Sequence, residues 1–268
     1  MRVLAWNCAM AKAPAGVSPP LVTDAFLGGR LLLRQPAQGH RCGTDAVLLA
    51  AAAPADFSGL AIDAGAGVGA AGLALAIARP GLRIGLLEND SLLAGLAREN
   101  LLQNRLTDRG YVAEADLLSP ASRRAAGLIG ESAGLVISNP PFLDPARARL
   151  SPDLRKRRAH VMPVAGPAAL AAWIAAALAL VAPGGLFILI HRPDALPVIL
   201  ETLAPRAGGI TVLPVYSRPE QSAGRILVRG KKGSRAPLSI APPLVLHDGN
   251  GFTPAAEAIH RGALPIDW

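Results

Sequence analysis

From Leu60 onward, apolar runs of strand length alternate with Ala/Leu-rich stretches of helical length, and this repeat constrains the fold more than any other feature of the chain. Strand, helix and strand in succession form βαβ units, which close as a parallel sheet with helices on its faces. The spacing predicts strands at Leu60–Asp63, Arg83–Glu88, Tyr111–Ala115, Leu135–Ser138 and Gly185–His191, with helices over about Gly69–Ala78, Ser91–Asn104 and Pro167–Val181. Turn residues such as Arg79-Pro80-Gly81 and Pro183-Gly184-Gly185 punctuate the units. Two later runs, Gly209–Tyr216 and Gly224–Arg229, are joined by too few residues for a crossover helix, so they are expected to pair antiparallel. The expected class is α/β: a seven-stranded, mostly parallel sheet with an antiparallel C-terminal strand pair.

A chain of 268 residues that is 51% hydrophobic and only 17% charged buries a full core, which excludes a disordered protein. Its longest apolar run, Ala168–Ala182, is shorter than the roughly 20 residues of a membrane span. Residues 1–20 are rich in Pro, Ala and Gly and lack an unbroken apolar stretch, so they read as a loose leader ahead of a single domain over 21–268. Cys8 and Cys42 are too few for a disulfide framework and point to a reducing compartment, hence a cytoplasmic protein. The five histidines, at 40, 160, 191, 247 and 260, show no metal-ligand spacing, and no metal is expected.

The sequence Asp63-Ala64-Gly65-Ala66-Gly67-Val68-Gly69 lies between a predicted strand and a predicted helix. Glycines there let the backbone approach a ligand and expose amide N–H groups at the helix N-terminus. Read from Gly67 to Gly72, the loop also fits the GxGxxG pattern of nicotinamide enzymes, with Glu88 on the ribose. Asp63 speaks against that reading, because a pyrophosphate gains nothing from an anion at the strand end, whereas an amino group or a sulfonium does. Each acid here also has a plainer role, as a turn cap for Asp63 and as surface acids for Glu88 and Asp116.

The fourth strand ends in Ser138-Asn139-Pro140-Pro141-Phe142. Two prolines fix the backbone past the strand and remove two donors, so carbonyls project as acceptors. Asn139 adds a side-chain acceptor and Phe142 a flat apolar face. An exocyclic amino group is a poor nucleophile because its lone pair is delocalised. Acceptors at Asn139 and Pro140 would hold its N–H groups and stabilise the positive charge that develops on attack.

The glycine loop resembles that of class I S-adenosylmethionine-dependent methyltransferases, whose Rossmann-like sheet has the strand pattern predicted above. The proline turn resembles that of amino-group methyltransferases acting on adenine N6, guanine N2 or glutamine amides. Further segments are Asp24–Leu31, Gln35-Pro36, Gly39–Ala50, Arg225–Gly230 and Pro243–Gly249. With these, the chain is similar to the bacterial tRNA1(Val) adenine-N6 methyltransferase family from about Asp24 to Gly262. The resemblance implies S-adenosyl-L-methionine as cofactor, with residues 21–58 covering it, a Rossmann-like core over 59–240 and a C-terminal extension over 241–268. It implies cofactor-side roles for Gln35, Arg41, Thr44, Asp45, Asp63, Gly65, Gly67, Glu88, Asp116 and Leu117, and a catalytic turn of Asn139, Pro140, Pro141 and Phe142. The adenine enzymes often carry Tyr where Phe142 stands, which keeps guanine N2 open. By the residues alone, Thr44 or Asp45 reads as a helix N-cap.

Basic residues concentrate in two runs. One holds Arg147, Arg149, Arg155, Lys156, Arg157 and Arg158 just past the proline turn, and the other holds Arg225, Arg229, Lys231, Lys232 and Arg235. Together they exceed the whole net charge of +8, so the rest of the chain is near neutral. Two such runs suit a phosphate backbone, and the family resemblance implies that the partner is RNA, specifically a tRNA with an unpaired target base.

Overall fold

Parallel strands covered on both faces must be apolar on both faces, and the strands of this chain obey that rule. The computed structural model of the chain describes residues 20–37, 43–141, 166–263 and 265–268. It opens with an antiparallel hairpin of β1 (Leu21–Phe26) and β2 (Leu31–Pro36), followed by helix α1 (Thr44–Ala51). The alternating units are β3 (Gly59–Ala64), α2 (Ala70–Ala78), β4 (Leu82–Glu88), α3 (Ser91–Gln103), β5 (Gly110–Glu114), α4 (Pro120–Ala125), β6 (Ala133–Ser138), α5 (Pro167–Leu178) and β7 (Val181–His191). Helix α6 (Leu196–Leu203) leads to β8 (Ala207–Tyr216) and β9 (Arg225–Lys232). The chain closes with the short strands β10 (Ser239–Ile240), β11 (Leu244–Val245), β12 (His247–Asp248) and β13 (Gly251–Phe252), and helix α7 (Pro254–His260).

Among the described residues the main sheet runs β10-β8-β9-β7-β6-β3-β4-β5, with β11 also on β8. Strands β3 to β7 are parallel, and β9 lies antiparallel between β7 and β8. The expected antiparallel pair is therefore present. The strand count differs from the expected seven because β10 and β11 line the outer edge of β8, where an uncovered strand would invite pairing with another chain. The chain steps outward from β3 through β4 and β5, then returns to pair β6 with the other side of β3. That reversal makes the carboxyl ends of β3 and β6 the switch point of the sheet, the place where open α/β sheets hold ligands.

Successive strand residues point to opposite faces, so Val136 and Ile137 belong to different apolar layers. One layer packs Leu48 and Leu49 of α1 and Leu73 of α2 on Ile84, Leu135 and Ile188. The other packs Ile174 and Leu178 of α5 on Ile62, Val136 and Phe187. The helix expected at Thr44 is α1, but its N-cap is Gly43, and neither Thr44 nor Asp45 caps it. Their side chains reach other elements instead.

Sequence periodicity did not reveal the β1–β2 hairpin. Asn100 of helix α3 and Asn104, the C-cap one turn on, hold it. Asn104 Oδ1 accepts the Leu32 N–H at 2.9 Å and its Nδ2 donates to the Leu32 carbonyl at 2.7 Å. Asn100, fully buried, accepts the Arg34 N–H at 2.8 Å and donates to the carbonyls of Arg34 and Val68, each at 2.9 Å. Alternate residues of β2 thus receive the hydrogen bonds that a neighbouring strand would supply, and the Val68 bond joins this hairpin to the glycine loop. Asn100→Ala strands three backbone groups, each costing about 1–3 kcal/mol when buried and unpaired. The expected loss of unfolding free energy is about 3 kcal/mol or more, measured by urea denaturation, against about 1 kcal/mol for Asn104→Ala, whose bonds are partly exposed.

Candidate active site

The carboxyl edge of the sheet collects the glycine loop, three acids and the proline turn. Gly65, Gly67 and Gly69 have φ of +80°, +58° and +90°, a region that side-chain-bearing residues rarely adopt. The amides of Gly65 and Ala66 both donate to the Leu87 carbonyl at 2.9 Å, which curls the loop over the end of β4. Glu88, at that end, accepts the Gly67 N–H at 2.8 Å on one oxygen and the N–H groups of Asn89 and Asp90, each at 2.9 Å, on the other. Asp63 is buried, and its Oδ2 accepts the Gly72 N–H at 2.8 Å. Asp116 Oδ1 accepts the Leu118 N–H at 2.8 Å, fixing the turn after β5. The side chain of Leu117 is buried in the second apolar layer, and its carbonyl accepts from the Arg123 guanidinium.

This geometry bears on two expectations. Asp63, expected to face a cationic ligand, has one oxygen, Oδ2, engaged by the Gly72 amide of helix α2, which clamps the glycine loop. The GxGxxG reading loses its phosphate cradle, because carboxylates already occupy the amides of Gly67 and Gly72. An acidic rim repels pyrophosphate and suits a cationic ligand rich in hydroxyl and amine donors.

At the end of β6, Pro140 is buried and Pro141 exposed. Asn139 Oδ1 is buried and has no hydrogen-bond partner. Buried acceptors are paired with few exceptions, so this one marks a place for a donor from outside the fold. Phe142 lies outside the described residues, as do Arg41, the first basic run and residues 1–19. The preceding Ser138 donates its hydroxyl to the Ala64 carbonyl at 2.7 Å and accepts the Trp173 indole N–H at 2.9 Å.

The remaining candidates divide. Gln35 is buried on β2 and donates to Asp24 Oδ2 at 2.6 Å. Thr44 Oγ1 lies 3.3 Å from His260 Nε2, and Asp45 Oδ2 pairs with Arg225 Nε at 2.9 Å, a pair with both side chains only 15% exposed. Arg225 opens β9 beside His191, the last residue of β7, so this ion pair stands at the same sheet edge as Asn139. The second basic run does not form a patch there, because β9 crosses the sheet from edge to edge. Arg229 stacks over Trp268, 4.7 Å from the ring centroid. Lys232 donates to the carbonyls of Leu178 and Val181 and to Glu131. Lys231 is exposed opposite Leu186, toward the amino end of β7. The carboxyl edge instead carries Arg192, which pairs with Asp194, and Arg218, which donates to the Gly249 carbonyl at 2.7 Å. Both follow a strand end by one or two residues, and that position, rather than charge density, is their signal in the sequence.

Comparison with known proteins bears on the same residues. Residues 41–154 match the family described as the Methyltransferase small domain. The tRNA1(Val) (adenine(37)-N6)-methyltransferase of Porphyromonas gingivalis is 29% identical over 241 residues, 86% of this chain and 90% of that protein. The protein of the same name from Serratia proteamaculans is 30% identical over 191 residues, 70% of this chain and 69% of its own length. The chain belongs to the bacterial tRNA1(Val) adenine-N6 methyltransferase family. A crystal structure of a predicted O-methyltransferase from Agrobacterium tumefaciens shares the fold of this methyltransferase, with a TM-score of 0.69 and 31% identity over 83% of this chain and 98% of that one. The protein is an S-adenosylmethionine-dependent methyltransferase, and S-adenosyl-L-methionine is its cofactor. No helix among the described residues is long and apolar enough to cross a membrane, and no group of three or more His, Cys, Asp or Glu side chains among them is placed to hold a metal ion.

Burial displaces the ionisation of Asp63 and of His191, both near the carboxyl ends of their strands. Desolvation pushes the Asp63 carboxyl up to about 7, against the pull of the Gly72 amide and with a further push from the Glu88 charge. Desolvation also holds the His191 imidazole below its ordinary value. Because the folded state keeps the Asp63 proton longer than the unfolded chain does, this group's contribution to stability is full below about pH 3.8 and is lost as the pH rises to about 7. Asp63→Asn retains an acceptor for Gly72 and removes the titration. Its stability relative to the parent should therefore climb between pH 4 and pH 7 and level off above, as thermal melts across that window will record. A constant difference across the window would refute the shift.

Proposed function

We propose that this methyltransferase moves its methyl group to the exocyclic N6 amino group of adenine in RNA, with an unpaired tRNA base as substrate and the cytoplasm as its place of work. The observation that carries this reading is the buried, unpartnered Oδ1 of Asn139 at the sheet edge that holds the glycine loop. When bound, S-adenosylmethionine supplies a methyl group already activated on a sulfonium. What the chain must add is alignment. Asn139 Oδ1 and the Pro140 carbonyl accept the two N–H hydrogens, direct the nitrogen lone pair out of conjugation and stabilise the charge formed on nitrogen. Pro141 keeps that turn rigid and Phe142 stacks on the base. A hydroxyl acceptor has one hydrogen for two acceptors and would leave one unpaired, which favours an amino group over the oxygen chemistry named for the Agrobacterium protein.

On the cofactor side, Gly65 and Gly67 admit close backbone approach, and Glu88 and Asp116 offer carboxylate oxygens to hydroxyl and amine donors. Gln35, Arg41, Thr44, Asp45 and Leu117 complete that side. The acidic loop fits a cationic cofactor on the geometry of Glu88 and Asp63. The names of the Porphyromonas and Serratia relatives support a tRNA adenine as the acceptor. RNA would enter along Arg147, Arg149, Arg155, Lys156, Arg157 and Arg158, with Arg218 adding a cation at the carboxyl edge.

The deciding measurement is mass spectrometry of nucleosides from total tRNA and rRNA of strains with and without the gene. Loss of N6-methyladenosine from tRNA is expected, and loss of N2-methylguanosine in its place would overturn the adenine assignment. Asn139→Ala should lower kcat by about 100-fold or more while S-adenosylhomocysteine still binds in calorimetry. Replacing Arg155, Arg157 and Arg158 by Ala should raise the KM for RNA and flatten its salt dependence. Lys231→Ala, at the far edge of the sheet, should leave both unchanged.

A further inference from the structure

The ladder between β3 and β6 ends at the pair Asp63 and Ile137. Beyond it the two strands part into the glycine loop and the proline turn, so sheet pairing no longer sets the distance between Gly65 and Asn139. One side chain spans that gap. Helix α5 is Pro-Ala-Ala-Leu-Ala-Ala-Trp-Ile-Ala-Ala-Ala-Leu, with Trp173 its single aromatic residue. Its indole N–H donates to Ser138 Oγ at 2.9 Å, and the fully buried Ser138 hydroxyl donates onward to the Ala64 carbonyl at 2.7 Å. A serine hydroxyl has one proton, so the relay runs in one direction: indole N–H to hydroxyl, hydroxyl to carbonyl. Ala64 precedes Gly65 and Ser138 precedes Asn139, so the relay ties the two loops at the last residue before each.

The same indole touches the glycine loop directly. A Cβ placed on Gly65 would lie 2.5 Å from Trp173 Cζ2 and 2.8 Å from Cη2, so the ring lies flush against that backbone. We infer that Trp173 is a positioning residue for methyl transfer, holding the glycine loop by its ring and the Asn139 turn, through Ser138, by its N–H. The inference rests on the reading of Gly65 and Asn139 as the two sides of the transfer site. A core-filling role alone needs only an apolar ring, and a phenylalanine would serve it. The hydrogen bond to Ser138 is the part that only an indole supplies at this position.

Trp173→Phe keeps the ring and removes the N–H, and Ser138→Ala removes the relay from the other end. In assays of the full chain with S-adenosylmethionine and total tRNA, each variant is expected to lose kcat by about tenfold, the scale at which small misalignments of reacting groups are felt. The dissociation constant for S-adenosylhomocysteine and the KM for RNA should stay within about twofold, and the double variant should be no slower than the slower single one, because both changes cut one relay. Wild-type kcat in Trp173→Phe, a parallel loss of S-adenosylhomocysteine affinity, or multiplied losses in the double variant would each overturn the inference. A binding readout needs no RNA: S-adenosylhomocysteine should change the tryptophan emission of the wild type, and Trp173→Phe should abolish that change. A response that persists in the variant overturns the placement of Trp173. A wild type that responds in fluorescence but methylates no RNA would overturn the substrate reading and leave the positioning of Trp173 supported.

Discussion

A parallel sheet buried on both faces has no side chain to spare for chemistry along its strands, and the rest of this structure depends on that constraint. Residues such as Ile62, Val136, Ile137 and Ile188 are consumed by the two apolar layers. Reactive groups can stand only where strands end, and the return of β6 to pair with β3 puts the switch point of the sheet at one of those ends. Asp63, Glu88, Asp116, Asn139 and His191 all lie at or just past the carboxyl end of a parallel strand. Position in the fold, more than residue type, brings them together.

Polar groups that enter this interior are spent on backbone. Asn100 serves β2 and the glycine loop, Glu88 gathers three amides, Asp63 holds Gly72, and Ser138 bridges to Ala64. Such bonds contribute modestly one by one, but leaving any partner unpaired in the interior is costly, so they confine the loops to one arrangement. Against that background Asn139 Oδ1, like Asp45 Oδ1, is a buried acceptor without a partner, and it stands at the end of β6 beside the glycine loop. Rigid surroundings and an open acceptor at that edge are what a reaction governed by alignment requires.

The elements with strong local signals were legible in the sequence. Strands β3, β4 and β6 are predicted within two residues of their observed ends, as is the antiparallel pairing of β8 with β9, because apolar run length and short turns are local properties. The β1–β2 hairpin was not legible, since its outer hydrogen bonds come from Asn100 and Asn104, far along the chain. The second basic run is dispersed for a related reason. Arg225 to Lys232 are neighbours in sequence, but an extended strand carries them from one edge of the sheet to the other, so Arg225 stands by the end of β7 and Lys231 by its start.

The sequence by itself determined the α/β class, the glycine loop and the proline turn, because each is written in contiguous residues whose backbone preferences are intrinsic. Only the tertiary structure decided what those residues touch. It turned Asp63 inward onto helix α2, bound Asp45 to Arg225 and Lys232 to the carbonyls at the amino edge, and laid Trp173 across the gap between the two loops. Those partners lie far apart in the chain, and a contact between distant residues depends on how the layers stack, which no local preference encodes.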